Sequence, residues 1–281
     1  MKPRNIREAL QDELTDDQMK QLRAFDIVGD IAVVKLPEEL LPKKQDVGRA
    51  LMQVHRNVKT VLNQVGPVGG EFRTRELEVI AGEPKTETMY RESDCVFKVD
   101  LAQSYFSPRL AHERLRIAEL ISPGEVMTNL FAGVGCYSIV AAKHSRASKI
   151  YSIDKNPAAF EYMRENIRIN KVGDRVVPIL GDARDAVEEK ISGLADRVLM
   201  PLPELAREFF DVAMLALKPI GGVVHFYDFG DAQDLFSPSL EFVRRAAEEK
   251  NFKVEMVNAR AIRSYAPRVF HVVLDLAITK K

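Results

Sequence analysis

Four residues in the middle of the chain have the types and spacing of a nucleotide-like binding site. Gly133 and Gly135 form a G-x-G in "NLFAGVGCYS", and glycine allows a tight turn and close approach of the backbone to a ligand. Asp154 ends a predicted strand in "YSIDKNP", 21 residues after Gly133, where a carboxylate can accept hydrogen bonds from both ribose hydroxyls. Asp182 ends the following strand in "ILGDAR", where it can accept from an adenine amino group.

Two strand-end acids in register with a G-x-G predict an S-adenosylmethionine site, with Phe131 of the same turn as a further cofactor contact. A dinucleotide fingerprint favours Gly or Ala at position 138, where this chain has Ser138. The simpler alternative is that Asp154 and Asp182 are helix caps or solvated turn residues. It is less favoured because both acids fall at the carboxyl ends of predicted strands.

A turn with two prolines follows the fourth predicted strand, in "RVLMPLPELA". Pro201 and Pro203 remove two backbone donors and fix two φ angles. Pro203 suits the first turn of a helix, where a missing donor is harmless. Because α/β enzymes place substrates at the carboxyl ends of parallel strands, this turn is a candidate substrate site.

The elements that position these residues alternate between strand and helix from about residue 98. The first five predicted strands are "EVMTNLF", "KIYSID", "VVPILGD", "RVLM" and "GGVVHFY". Helices are predicted at about 110–121, 136–144, 157–170, 203–217 and 238–250. Only "RSYAPR" separates the last two strands, "KVEMVNARAI" and "VFHVVLDLAI". The pattern predicts an α/β fold for residues 98–281, a Rossmann-like class I methyltransferase sheet that is parallel and ends in an antiparallel pair.

Residues 1–97 are predicted to form a separate small α+β domain. A Gly-Asp turn in "FDIVGDIAVVKL" at 25–36 predicts a hairpin. A helix is expected at 46–56, followed by short strands in "TVLNQV" and "ELEVIAG", with the polar loop "GPVGGEFRTR" between them.

Composition excludes several classes of protein. The chain has 281 residues, of which 46% are hydrophobic and 29% charged, with zero formal net charge, so a nucleic-acid partner would need a local basic patch. It has no apolar run long enough for a membrane span and no apolar signal core at its start, so a cytoplasmic protein is expected. The cysteines, Cys95 and Cys136, and the scattered histidines have no metal-ligand spacing, and no metal site is predicted. A monomer is expected.

Several motifs together resemble one family of enzymes. The run "VDLAQSYFSPRLAHERLRIAELI", the segments "NLFAGVGCYS", "YSIDKNP" and "NIRINKV", the upstream "GEFRTRE" and the downstream "SYAPR" are similar to the archaeal and eukaryotic tRNA (guanine-37) N1-methyltransferases. The resemblance covers about residues 25–281 and indicates that the extra N-terminal docking domain of many members is missing. A sister branch, the wybutosine-pathway aminocarboxypropyl transferases, shares the cofactor domain. That branch lacks the Pro-Arg-Leu present here at 108–110, so the methyltransferase branch is favoured.

The resemblance implies S-adenosylmethionine-dependent methylation of guanine 37 in the anticodon loop of tRNA, with residues 1–97 positioning the tRNA. Guanine N1 carries a proton at neutral pH, so its methylation requires a base, and the charge that develops on O6 requires a cation or donor. The resemblance makes Glu113 the base and Arg73 the partner of O6. Arg109 lies four residues before Glu113 and is a third candidate catalytic residue. The simpler alternative is a surface ion pair between Arg109 and Glu113.

The sequence departs from the family at the proline turn. The family has Asn-Leu-Pro there, whereas this chain has Pro201, and Asn129 stands where the first strand usually ends in Asp. Three readings stay open: methylation of guanine N1 with a backbone acceptor such as that of Met200, a pocket widened for a tricyclic wyosine-type base, or a tRNA-binding homologue with feeble catalysis. A small-molecule or protein methyltransferase is a further alternative, although "GEFRTR" and "RNVK" suit phosphate contacts better than an apolar pocket.

Overall fold

A computed structural model describes residues 3–22 and 24–281 of the chain. The chain divides into two compact units, a first that ends at Arg109 and a second, Leu110–Lys281. The prediction placed the change of fold after residue 97, and the roles it gave to the two domains stay a proposal. None of the helices in the described residues is both long and apolar enough to cross a bilayer.

The first unit is an α+β fold, as predicted. Its helices are α1 (Ile6–Ala9), α2 (Asp16–Gln21) and α3 (Lys44–Val54), and its strands are β1 (Asp26–Val28), β2 (Ile31–Val34), β3 (Thr60–Gln64), β4 (Leu77–Gly82), β5 (Glu87–Glu92) and β6 (Cys95–Asp100). Strands β1 to β4 form one sheet in that order, with β2 and β3 parallel and the other neighbours antiparallel, while β5 and β6 form a separate hairpin. The predicted hairpin at 25–36 is confirmed, whereas β5 and β6 were not predicted.

The second unit contains the predicted sheet. Its helices are α4 (Ala111–Glu119), α5 (Cys136–His144), α6 (Pro157–Asn170), α7 (Ala183–Ala186), α8 (Pro203–Ala206), α9 (Phe210–Ala216) and α10 (Ser237–Glu248). Its strands are β7 (Val126–Asn129), β8 (Lys149–Asp154), β9 (Val176–Leu180), β10 (Arg197–Met200), β11 (Gly221–Asp231), β12 (Phe252–Ala266) and β13 (Val269–Lys280). Short 3₁₀ turns occupy Glu38–Lys43 and Pro108–Leu110, and a π turn occupies Val187–Ile191.

The seven strands of the second unit lie in the order β12-β13-β11-β10-β7-β8-β9. Strands β9, β8, β7, β10 and β11 are parallel, β13 pairs antiparallel with β11, and β12 pairs antiparallel with β13. The predicted parallel sheet with a closing antiparallel pair is therefore confirmed. Because all five parallel strands end at the same edge, the loops that follow them gather there and can build one site.

Two predicted elements differ from the structure. The single helix expected at 203–217 is divided into α8 and α9, and Phe209 between them packs its ring on Phe131, with centroids 5.2 Å apart. The loop expected in "RSYAPR" is mostly strand, because β12 continues to Ala266 and β13 starts at Val269. Register shifts let β12 stay paired over this length, including those between Ala261 and Arg263 and between Ser264 and Ala266.

Candidate active site

The glycine-rich turn after β7 has the backbone conformation that the G-x-G predicted. Gly133 and Gly135 have φ angles of 56° and 90°, in the left-handed region that favours glycine. A Cβ added to Gly135 would lie 3.0 Å from Met163 Cγ and 3.1 Å from Ile139 Cδ1. Glycine at 135 is therefore required both by the backbone conformation and by the packing of α5 against α6.

Asp154, at the end of β8, fixes this turn through backbone hydrogen bonds. Its Oδ2 accepts from the Gly133 amide at 2.5 Å and its Oδ1 from the Asn156 amide at 2.9 Å. Burial raises the pKa of the Asp154 carboxyl, although these two bonds act in the opposite direction. Since each carboxylate oxygen has two lone pairs, Asp154 can still accept from the hydroxyls of a bound ribose.

Asn129, at the end of β7, is fully buried and ties the same turn together. Its Nδ2 donates to Ser138 Oγ at 3.2 Å, and its Oδ1 accepts from the Phe131 amide at 3.3 Å. An aspartate here could accept from Phe131 but could not donate to Ser138, so the serine hydroxyl would have to become the donor. The amide at 129 therefore supports the turn without placing a second charge beside Asp154.

Asp182 caps a short helix at the end of β9. Its Oδ1 accepts from the Arg184 amide at 2.9 Å, and its Oδ2 lies 3.5 Å from Lys155 Nζ. The simpler alternative, a helix cap, therefore describes part of what Asp182 does. The preceding residue, Gly181, faces open space, since an added Cβ would meet no described heavy atom within 4 Å. The predicted contact with an adenine amino group stays a prediction.

The proline turn leaves the sheet directly after β10. Met200 is fully buried, Pro201 and Leu202 are partly buried, and Pro203 is the buried first residue of α8. Position 201 offers no side-chain donor or acceptor, so the polar groups of this turn are its backbone carbonyls and the Leu202 amide.

Glu113, in the first turn of α4, is buried and held from two sides. Arg116 donates from Nη2 to Glu113 Oε1 at 2.7 Å and from Nε to Oε2 at 2.9 Å, and the Tyr227 hydroxyl donates to Oε1 at 2.7 Å. The side chain of Glu113 is 4% exposed. A carboxylate has about four lone-pair sites. Bonds from described residues fill three of them, which leaves one site on Oε2.

A buried polar network continues from Glu113 into the sheet. Arg116 Nη1 donates to Asp275 Oδ2 at 2.6 Å, and the ring of His225 contacts Asp275 Oδ1 through Nδ1 at 2.6 Å. Arg197 Nη1 lies 2.8 Å from His225 Nε2. Because arginine can only donate, His225 must accept at Nε2 and donate from Nδ1 to Asp275.

The charges of this network are fixed by burial and by pairing. Burial lowers the pKa of His225 in spite of the neighbouring Asp275, so the ring is neutral at pH 7. Burial alone would raise the pKa of Asp275, but the bonds from His225 and Arg116 hold it well below its ordinary value. Arg116 therefore serves two carboxylates, Glu113 and Asp275, with one positive charge.

The other predicted catalytic residues, Arg73 and Arg109, belong to the first unit. Arg109 Nε donates to Asp26 Oδ1 at 2.7 Å, while Glu113 is buried with other partners. The simple alternative of a surface Arg109–Glu113 pair is therefore wrong. Arg73, with φ of 54°, places its guanidinium 4.9 Å from the centre of the Tyr105 ring.

The first unit also contains a groove of about 700 Å³ beside the β5–β6 hairpin. Its polar lining includes Asn57 and Lys59 of the "RNVK" segment together with Lys85, Arg91 and Asp30. Lys59 and Arg91 are exposed, whereas Lys85 is bound to Asp30 at 2.7 Å.

Sequence reasoning missed most of the residues around Glu113. The spacing of Glu113 and Arg116 at i and i+3 is a local signal that could have paired them. Tyr227, His225 and Asp275 gave no such signal, because they approach α4 only through the pairing of β11 with β13.

Comparisons with known proteins agree with this fold. Residues 88–256 match the family model of the TRM5/TYW2 methyltransferase domain, and residues 6–86 match that of the TYW2 N-terminal domain. The tRNA (guanine(37)-N(1))-methyltransferase Trm5b of Pyrococcus abyssi is 45% identical over 256 residues, which cover 91% of this chain and 75% of the relative. The tRNA(Phe) (4-demethylwyosine(37)-C(7)) aminocarboxypropyltransferase of Pyrococcus horikoshii is 35% identical over 281 residues, 100% of this chain and 98% of the relative.

Two solved structures are similar over nearly the whole chain. The complex of aTrm5 with tRNALeu has a TM-score of 0.86 at 35% identity and covers 99% of this chain and 78% of that one. Pyrococcus horikoshii TYW2 in complex with MeSAdo has a TM-score of 0.83 at 32% identity and covers 100% of both chains. The chain belongs to the TRM5/TYW2 methyltransferase family.

Proposed function

We propose that the protein methylates N1 of guanine 37 in the anticodon loop of tRNA, with S-adenosylmethionine as the methyl donor. The observation that carries the proposal is the state of Glu113, a buried carboxylate held rigidly by Arg116 and Tyr227 with one acceptor site left on Oε2. A methylated guanine N1 must first lose a proton, and a fixed carboxylate with one open lone pair is suited to take it.

The donors around Glu113 set its orientation. Arg116 and Tyr227 fix the carboxylate plane, so the open lone pair on Oε2 has one direction. Arg116 also donates to Asp275, so its positive charge is shared between two carboxylates. The proton from N1 therefore goes to Oε2, while the bonds at Oε1 stay in place.

The residues around the glycine turn fit the proposed cofactor. The open backbone at Gly133 and Gly135, the buried Asp154 and the space beside Gly181 are the features that a ribose and a base require. When bound, S-adenosylmethionine supplies an electrophilic methyl group. Asp154 would hold the ribose, Asp182 would accept from the adenine amino group, and Phe131, packed on Phe209, would cover the site.

The first unit supports a tRNA substrate. Arg73 sits on a loop tied to the Tyr105–Phe106 segment, since Arg75 Nη2 donates to the Phe106 carbonyl at 2.9 Å. We assign Arg73 to guanine O6, where negative charge develops. The exposed Lys59 and Arg91 of the groove suit phosphate contacts. A monomeric enzyme in the cytoplasm is part of the same proposal.

A tricyclic wyosine-type base is proposed as a second substrate because of Pro201. A ring carbon needs no side-chain acceptor beside it, and proline gives a flat apolar wall at the end of β10. Loss of one well-placed hydrogen bond to a reacting group costs on the order of 10² in rate, so guanine methylation here would use a backbone carbonyl in its place.

Aminocarboxypropyl transfer is the second candidate function. Two observations favour it: residues 6–86 match the TYW2 N-terminal domain, and the Pyrococcus horikoshii aminocarboxypropyltransferase matches over the whole chain. Mass spectrometry of nucleosides separates the candidates, because a methyl and an aminocarboxypropyl group add different masses. The substrates are tRNA-Phe transcripts with either guanine or the tricyclic base at position 37, and Pro201→Asn is compared with wild type. If wild type modifies only guanine, and Pro201→Asn only accelerates that reaction, the proposal of a tricyclic second substrate is wrong.

The test of the proposed base is Glu113→Gln. We expect single-turnover methylation to fall by about 10²-fold or more, with S-adenosylmethionine affinity by calorimetry unchanged. Glu119→Gln, at an exposed position of the same helix, is the matched control and should keep full activity. A fully active Glu113→Gln enzyme would mean that the base lies elsewhere.

A further inference from the structure

Three strands of the second unit continue past the edge of its parallel sheet. The pairing of β10 with β11 ends at Met200 and Phe226, but β11 continues to Asp231. Strand β13 stays paired with this extension as far as Asp231–Val269, and β12 stays paired with β13 as far as Ala266–Val269. Because β10 and β11 are parallel, the extension projects at the carboxyl edge of the sheet, where the proline turn also lies.

One face of this extension carries a row of aromatic rings. Tyr227 and Phe229 are two residues apart and therefore lie on the same face of β11. His271 of β13 is the register partner of Phe229. Ring centroids are 5.6 Å apart for Tyr227 and His271, 6.1 Å for His271 and Phe229, and 4.5 Å for Phe229 and Tyr265. The row therefore begins at the hydroxyl bound to Glu113 and ends at Tyr265, which is 53% exposed.

The strand segment that carries the exposed end of the row is rich in arginine. The segment 259–270 contains three arginines, Arg260, Arg263 and Arg268, and no acidic residue. Arg260 and Arg268 are exposed, and Arg268 Nη2 lies 3.3 Å from Asp231 Oδ1. An exposed ring supported from below by a second ring, with cations beside it, is the arrangement that binds single-stranded nucleic acid through base stacking and phosphate contacts.

We propose that the end of the β12–β13 hairpin binds the single-stranded RNA loop next to the target base, with a base stacked on Tyr265 and phosphates at Arg260 and Arg268. This proposal rests on the proposed function and adds to it the surface of the methyltransferase unit that holds the loop. The row of rings leads from that surface to Tyr227 and Glu113, so a nucleotide stacked on Tyr265 lies on the side from which the target base approaches the carboxylate.

The test uses a fluorescent anticodon stem–loop RNA with guanine at position 37 and measures its Kd by anisotropy at several salt concentrations. Tyr265→Ala should raise Kd about tenfold or more, because a base stacked on an aromatic side chain contributes that much. Tyr265→Phe keeps the ring and should bind within about twofold of wild type. Arg260→Ala should lower the slope of log Kd against log salt by about 1.

Lys253→Ala is the matched control, since Lys253 is an exposed cation at the other end of β12. It should leave the Kd for this RNA unchanged, and calorimetry with S-adenosylmethionine should show that all four variants remain folded. Wild-type affinity in Tyr265→Ala would overturn the proposal, as would equal losses in Tyr265→Phe and Tyr265→Ala. If RNA binding depends on Tyr265 but wild type modifies neither guanine nor the tricyclic base, the surface stands and the proposed function fails.

Discussion

Two parts of the second unit bury a carboxylate but stabilise it in different ways. One is the corner formed by Gly133, Asp154 and Asn156, and the other is the network of Glu113, Arg116, Asp275 and His225. Asp154 accepts hydrogen bonds from two backbone amides, of Gly133 and Asn156, and its pKa is raised by burial. Glu113 and Asp275 share a buried guanidinium, that of Arg116. A carboxylate bound by amides alone keeps much of its capacity for new donors, whereas a carboxylate paired with arginine is held in one position.

In the proposed function, this difference corresponds to two tasks. The corner must accept the hydroxyls of a ligand that comes and goes, and backbone amides leave lone pairs open for them. The network must present one lone pair of Glu113 in one direction, which needs the rigid, two-pronged contact that arginine makes with a carboxylate. Four experiments can separate these descriptions.

The largest effect is expected from Arg116→Met, which removes the cation of the network. Glu113 and Asp275 would then be buried without their shared cation, and breaking a buried pair in this way costs about 3–5 kcal/mol of unfolding free energy. Urea unfolding measures the loss. Arg164→Met is the control, because Arg164 pairs with Glu161 on the surface, and such a pair contributes about 0–1 kcal/mol. Similar losses in both variants would remove the contrast between network and surface.

At the corner, Asp154→Ala should lower the affinity for S-adenosylmethionine more than it lowers the free energy of unfolding. Hydrogen bonds to a charged group are worth about 1.5–3 kcal/mol, so the Kd for S-adenosylmethionine should rise roughly 10- to 100-fold by calorimetry. Asp174→Ala, at an exposed carboxylate near β9, is expected to bind like wild type. Unchanged affinity in Asp154→Ala would show that the carboxylate only supports the turn.

Gly135→Ala tests whether the corner depends on its backbone conformation. The new methyl group would be forced against Met163 and Ile139 at a φ of 90°, and strain of this kind costs about 1–3 kcal/mol. The midpoint of thermal unfolding should fall accordingly. Gly69→Ala is the matched control, since its Cβ would have no described heavy atom within 4 Å and its φ is not in the left-handed region. Equal stability of the two variants would contradict the packing described for α5 and α6.

The smallest effect concerns the pH dependence of the network. In the fold, burial and the charges of Arg197 of β10 and Arg116 of α4 lower the pKa of His225 and keep it neutral, while Asp275 of β13 acts in the opposite direction. Below about pH 6.5 the unfolded chain protonates this histidine and the folded chain does not. The unfolding free energy should therefore decrease as pH falls from about 7 to 5, by at most about 1.4 kcal/mol per pH unit.

Urea unfolding at each pH measures this slope, which His225→Asn should flatten. His112→Asn, at an exposed position of α4, removes a histidine without touching the network and is the control. Asp275 adds to the slope only in more acidic solution, because its ionised form is favoured in the fold and is lost as pH falls below about 3.9. An unchanged slope in His225→Asn would mean that His225 is not the group that titrates.

Much of the fold was predictable because it depends on local patterns. Asn156 caps α6, with its Oδ1 accepting from the Ala158 amide at 3.0 Å, and Pro157 begins the helix, an Asn-Pro pair that is typical of a helix start. The strands around Gly133 and Asp154 were likewise marked by apolar runs that end in turn residues. The continuation of β12 to Ala266 was not predictable, because "RSYAPR" reads as a turn and its strand character depends on pairing with β13.

The sequence by itself determined the corner formed by Gly133 and Asp154, since these residues are 21 residues apart and joined by one strand–helix–strand unit. Only the tertiary structure decided the surroundings of Glu113. Arg116 and Asp275 are separated by 159 residues, and Tyr227 and Glu113 by 114. Contacts of that range arise from the order of strands in a sheet and from the face that each strand presents to α4. Residue type and spacing along the chain do not specify either property, because each depends on which strands become neighbours when the whole core packs.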